Sequence, residues 1–97
     1  MATFVMLANF TDKGIHSVKD TVKRAESFKE IAKADGVTVK EVYWTLGHYD
    51  VVITGEAKDD MAVTALGLSL AKAGNVRTQT LRAFGPKEMT EILGKLK

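Results

Sequence analysis

Apolar positions recur along the chain with two periods, near 2 and near 3.6 residues, and the switches between them outline the fold. From Thr3 to Phe10 both alternating sets are apolar, Phe4, Met6, Ala8 and Phe10 on one and Val5 and Leu7 on the other, which predicts a strand buried on two faces. Thr11 is placed to cap a helix, Asp12 suits the positive end of its dipole, and Ile15, Val18, Val22, Ala25, Phe28 and Ala32 then follow at helical spacing. His16, Asp20, Lys23, Arg24, Ser27 and Glu30 fall on the outer side, with Asp20 one turn ahead of Arg24 in the favourable acid-first order. Asp35-Gly36 ends this helix. β-Branched and aromatic residues dominate Val37 to Leu46, Gly47-His48 interrupts, and Asp50 to Glu56 resumes, which predicts a hairpin. Asp59-Asp60 opens a second helix, Met61 to Ala73, whose only polar residues are Thr64, Ser69 and Lys72; it is expected to be buried beyond one face. Asn75 to Phe84 alternates as a fourth strand. Gly85-Pro86 then starts a terminal helix with Met89, Ile92, Leu93 and Leu96 along one side.

The order is β-α-β-β-α-β plus a C-terminal helix. This predicts a single α+β domain over residues 1–97, with a core of 3–84, a C-terminal helix over 86–97 and the antiparallel four-stranded sheet of ferredoxin-like folds. Right-handed crossovers put both long helices on one sheet face. Because the strands read apolar on both faces, a second subunit is expected to cover the other, making a dimeric α/β barrel.

Composition narrows the classes. The 97 residues contain no cysteine, so disulfides, thiolate metal sites and nucleophilic thiols are excluded. Fourteen Lys+Arg stand against twelve Asp+Glu with the signs interleaved, a net charge of +2 that argues against nucleic-acid binding. The N-terminus has no positive leader region and no apolar run approaches the ~20 residues of a spanning helix, so no membrane association and a cytoplasmic location are expected. No Gly-x-Gly-x-x-Gly, Walker or nucleophile-elbow pattern occurs, and no cofactor is implied. Thr11-Asp12-Lys13-Gly14 lacks the glycine spacing of a phosphate loop, and helix capping is its better reading. His16 and His48 have no ligand-type spacing; no metal site is expected, and His16 reads as solvent-exposed.

The tetrad Gly47-His48-Tyr49-Asp50 resembles the Gly-x-Tyr-Asp signature of the GYD family. The resemblance continues through Thr11-Asp12, Gly14-Ile15, Tyr43-Trp44, Glu56 with Asp59-Asp60, and the long block from Gly74 to Phe84. It implies a ferredoxin-like fold and membership of the dimeric α+β barrel superfamily, whose members include small-ligand sensing domains and cofactor-independent oxygenases or isomerases. Fold analogy does not choose between these.

His48 is the candidate general base and Asp50 its orienting partner or a hold for a substrate donor, with Tyr49 as an alternative helper. In a strand His48 and Tyr49 face opposite sides, so at most His48 and Asp50 share one. The competing reading is a turn, in which Gly47 supplies the backbone conformation, Asp50 accepts backbone N–H bonds and Tyr49 packs at the rim. Tyr43, Trp44, Tyr49 and Arg77 are the candidate ligand contacts. Arg77 either binds an anionic ligand or pairs with Glu41, Glu56 or Asp50; Tyr43 and Trp44 point to opposite faces and either line a cavity or pack in the core. The leading reading is a homo-oligomeric module, at least a homodimer, that binds a small anionic or aromatic molecule or builds an assembly. The alternative is a cofactor-independent oxygenase or isomerase with His48 as base. A third is purely structural, with the second helix and the tail joining copies.

Overall fold

The computed structural model describes all 97 residues. The chain runs β1 (Ala2–Phe10), α1 (Asp12–His16), a single 3-10 turn (Val18–Asp20), α2 (Thr21–Ala34), β2 (Val37–Trp44), β3 (Val51–Ala57), α3 (Asp60–Lys72), β4 (Val76–Ala83) and α4 (Pro86–Leu93). All strand pairs are antiparallel and the sheet order is β2-β3-β1-β4. Phe28 and Ala32 of α2 and Val63 and Leu66 of α3 close over Phe4, Met6, Ala8, Val51 and Ile53, so both long helices lie on one sheet face. No element covers the other face, where Val5, Leu7 and Val52 are half-buried and Tyr43 and Leu81 exposed.

One irregularity decides which residues face where. Thr38 pairs with Glu56 and Val39 with Gly55, but Glu41, not Lys40, is opposite Thr54. This bulge removes Lys40 from the alternation. Without it Glu41 would take the place opposite Ile53 and point into the core; with it Val42 takes that place and Glu41 faces outward. Beyond the bulge Tyr43 lies on the uncovered face and Trp44 on the helix face.

The first helix is not continuous as its periodicity suggests. Thr11 caps α1, its Oγ1 accepting the Gly14 N–H at 3.1 Å. The same residue donates its backbone N–H to Asn75 O, and Lys13 Nζ donates to Ala73 O. These bonds tie α1 to the α3–β4 turn, while α2 must follow the sheet; the axis changes at the 3-10 turn. Arg24 sits at this junction and donates to Ser17 O at 2.9 Å, not to Asp20. Gly36, at φ +80°, turns the chain out of α2.

The expectation that the second helix is buried beyond one face is overturned. Of α3 only Val63 and Leu66 are buried, while Met61 is 80% and Leu68 67% exposed. The sheet presents one row of partners to α3, so its remaining apolar residues face outward.

Candidate functional site

A half-open apolar pocket lies between the sheet and α2, at the sheet end where β2 stops. Ten of its thirteen lining residues are hydrophobic, among them Phe10, Phe28, Val42 and Trp44, and its volume is about 80 Å³. Thr21, Arg24 and Asn75 are its polar lining. Trp44 lies along the pocket, and its indole Nε1 donates to Thr21 Oγ1 at 3.0 Å, latching the end of β2 to the start of α2. Arg24 is held by two carbonyls, Ser17 O just past the end of α1 and, at 3.5 Å, Gly14 O within it. A guanidinium has five N–H donors, so this grip leaves several free to meet an acceptor. Sequence reasoning placed Arg24 on an outer face and did not single out Thr21 or Asn75. The signal for Arg24 lies in the breaking of the first helix, which leaves carbonyls for a long donor one turn further on.

The uncovered face carries a separate polar network. Glu41 accepts from the Tyr43 hydroxyl at 2.7 Å and from the Thr54 hydroxyl at 3.0 Å. Those two bonds hold the Glu41 carboxyl below its ordinary range, and the bond to Glu41 raises the Tyr43 hydroxyl above its own. Lys40, displaced by the bulge, pairs with Glu56 at 2.8 Å, which raises the lysine above its ordinary value. Tyr49 reaches across β1 to donate to Gln79 Oε1 at 2.7 Å. Arg77, opposite Asn9 on the edge strand, is exposed and forms no ion pair. Of the three acids open to it, Glu41 is engaged by hydroxyls, Glu56 by Lys40 and Asp50 by backbone.

The hairpin loop between Trp44 and Val51 is organised as a turn. Gly47 has φ +118°, Thr45 donates its N–H to Asp50 O at 2.8 Å and its hydroxyl to Tyr49 O at 2.6 Å. Asp50 Oδ2 accepts the Phe10 N–H at 2.9 Å and the Asp50 N–H donates to Ala8 O, so this residue extends the β1–β3 ladder with side chain as well as backbone. His48 is exposed and makes no side-chain hydrogen bond, to Asp50 or to any other group. The six candidates are therefore dispersed: Trp44 on the half-open pocket, Tyr43, Tyr49 and Arg77 on or beside the uncovered face, Asp50 in the ladder and His48 in solvent. No helix is long and apolar enough to cross a membrane.

Element order and sheet order together define an α+β domain of ferredoxin-like topology. More narrowly, the chain belongs to the GYD family: the family model, described as the GYD domain, matches residues 4–93, nearly the whole chain and all four strands. No curated protein matches it.

Proposed function

We propose that this protein is a homo-oligomeric small-molecule-binding module whose copies pair through the uncovered sheet face. The observation that carries the reading is surface. The chain exposes 6813 Å², about 1,300 Å² more than the ~5,500 Å² expected of a compact monomer of this mass. Its radius of gyration is 14.5 Å, against about 12.5 Å for a compact chain of this length. A standard interface takes ~800 Å² from each partner, so the excess accommodates a full protein contact. Val5, Leu7, Val52 and Leu81 supply an apolar centre for it, ringed by the Glu41–Tyr43–Thr54 and Lys40–Glu56 networks, the anatomy of a protein interface. Membership of the GYD family adds weight to the same arrangement.

Ligand binding belongs to the helix face. At about 80 Å³ the cavity is smaller than the ~150 Å³ that accommodates benzene, so an aromatic guest requires Trp44 to swing from Thr21. Arg24 at the lining then faces the guest's acceptor, which favours a small aromatic acid over a neutral hydrocarbon.

Native mass spectrometry with light scattering tests the pairing, and thermal shift tests the ligand. Wild-type protein at micromolar concentration is expected at a multiple of the subunit mass, and Val52→Arg, which puts a charge at the centre of the uncovered face without touching the core, at a lower one. A wild-type monomer at tens of micromolar refutes the pairing. A small aromatic carboxylate at ~100 times its Kd is expected to stabilise the protein by about 2.7 kcal/mol. Loss of that shift in Arg24→Gln supports the assignment of the acceptor; an equal shift there refutes it.

A further inference from the structure

The helix α3 presents to solvent the apolar residues that the sheet leaves unused. At about 100° per residue, Val63, Leu66 and Leu70 turn into the core, and Met61, Ala65, Leu68 and Lys72 fall on the opposite side of the helix. All four of these outer residues are exposed. Their spacing of four, three and four residues is that of a seam between two helices. Ala62 and Ser69 flank the seam on one side and Thr64 and Ala71 on the other. These flanking residues are all small and uncharged, so a second helix can approach closely. The contrast is α2, which meets solvent with Lys23, Glu26, Glu30 and Lys33 in the ordinary way of a surface helix.

The ends of α3 select the partner. Lys72 is its last residue, and Lys13 Nζ, bonded to Ala73 O at 2.8 Å, adds a second cation at that end. The other end carries Asp59 and Asp60 against one cation, Lys58. Neither Lys72 nor Asp60 forms an ion pair within the chain. A helix that is positive at one end, negative at the other and apolar between is complementary to its own reversed copy, whereas a parallel copy sets Lys72 against Lys72. The surface excess of about 1,300 Å² is larger than the ~800 Å² that one standard interface takes, so pairing through the sheet face leaves area for a second, smaller contact.

We propose that α3 pairs antiparallel with α3 of a second copy, Leu68 of each lying over Ala65 of the other and the Lys72 stem lying along Met61. Each central layer then sets a large side chain against a small one. The Lys72 ammonium lies level with the acidic first turn of the second copy. The contact is isologous, with its two-fold axis between Ala65 and Leu68. Because α3 and the uncovered face lie on opposite sides of the sheet, it does not depend on sheet-face pairing; where both form, assembly extends beyond the dimer.

The chain has no cysteine, so introduced thiols report this register without background. Across the two-fold axis the two copies of position 65, or of 68, are about 4–5 Å apart along the helices, and the two copies of 61, or of 72, about 16 Å. Position 61 of one copy is level with 72 of the other. All four positions are exposed, so the variants fold, as circular dichroism would verify. Under mild oxidation of the full chain, Ala65→Cys and Leu68→Cys are expected to form disulfide dimers roughly tenfold or more faster than Lys95→Cys, an exposed tail position that reports random collision. Met61→Cys and Lys72→Cys are each expected to stay at the collision rate alone and to form the mixed dimer rapidly when combined. The same pattern in a Val52→Arg background supports the inference even if sheet-face pairing is absent. Three outcomes overturn it: Ala65→Cys and Leu68→Cys at the collision rate, which leaves the helix face to another partner; rapid self-linking at all four positions, which means a parallel pair; or a pattern lost with Val52→Arg, which makes the contact a by-product of sheet-face pairing.

Discussion

A Cβ built on Gly14 would stand 2.0 Å from Asn75 O and 2.9 Å from its carbonyl carbon, so Gly14→Ala forces α1 away from the α3–β4 turn. Relief needs a separation above about 3.2 Å, a shift of more than 1 Å between two backbone segments that hydrogen bonds hold together. Thr11 N donates to Asn75 O at 3.0 Å, Thr11 Oγ1 donates to Gly74 O, and Lys13 Nζ donates to Ala73 O at 2.8 Å. Losing one or two of these costs about 0.5–1.5 kcal/mol each, and overpacking adds about 1–3 kcal/mol. Alanine's better helix propensity offsets up to about 1 kcal/mol, which leaves a net destabilisation of roughly 2–4 kcal/mol. Gly67→Ala in α3 is the matched control, because its Cβ meets nothing nearer than 4.0 Å. There the propensity term stands alone and the expected change is a stabilisation of about 0.5–1 kcal/mol. Urea unfolding and melting curves of both variants read the difference; for a domain of this size each kcal/mol moves Tm by about 4–8 °C. Equal stability of the two refutes the claim that the α1–turn contact is rigid. Asn75 and Arg24 both line the cavity, so Gly14→Ala is also expected to weaken any ligand-induced shift.

Asp50→Ala removes the acceptor of the Phe10 N–H and is expected to destabilise by about 1–3 kcal/mol, while Asp50→Asn, which keeps a carbonyl acceptor, costs less; denaturant midpoints distinguish them. Arg82 holds the Glu88 carboxyl below its ordinary value, so the contact contributes fully above the ordinary glutamate range and is lost as the pH falls below about 4. Amide exchange or NMR shifts at Gly85 and in α4 should therefore change in that acidic window, and Glu88→Gln should abolish the change; persistence in Glu88→Gln would place its origin elsewhere. Trp44→Phe deletes the bond to Thr21 Oγ1 at a cost of about 0.5–1.5 kcal/mol, measured by urea unfolding followed by circular dichroism. Replacing His48 by Gln should leave stability within about 0.5 kcal/mol, because the side chain is exposed and unpartnered.

Local chemistry carried most of the architecture. Thr11 and Asp59 cap helices as their residue types suggest, and Gly36 and Gly74 take positive φ at helix ends, whereas the N–H that Asp50 accepts comes from Phe10 on β1, forty residues away. The element order and the helices' common face follow from periodicity and crossover handedness alone. The candidate site was less legible. Arg24, read as an outer-face residue, reaches back to Ser17 O where the first helix breaks, and α1 is held apart from α2 by bonds from Thr11 and Lys13 to Ala73, Gly74 and Asn75, some sixty positions away.

Sequence by itself determined the four strands, the two long helices, their order and the absence of thiol chemistry, because short-range periodicity, capping and composition are properties of neighbouring residues. Tertiary structure alone decided the bulge at Lys40. One extra residue in β2 turns Glu41 outward to Tyr43 and Thr54, sends Trp44 to the cavity and frees Lys40 for Glu56. An alternating pattern cannot reveal this, since a shift of one residue exchanges the two faces and only pairing with β3 selects the register that keeps a carboxylate out of the core.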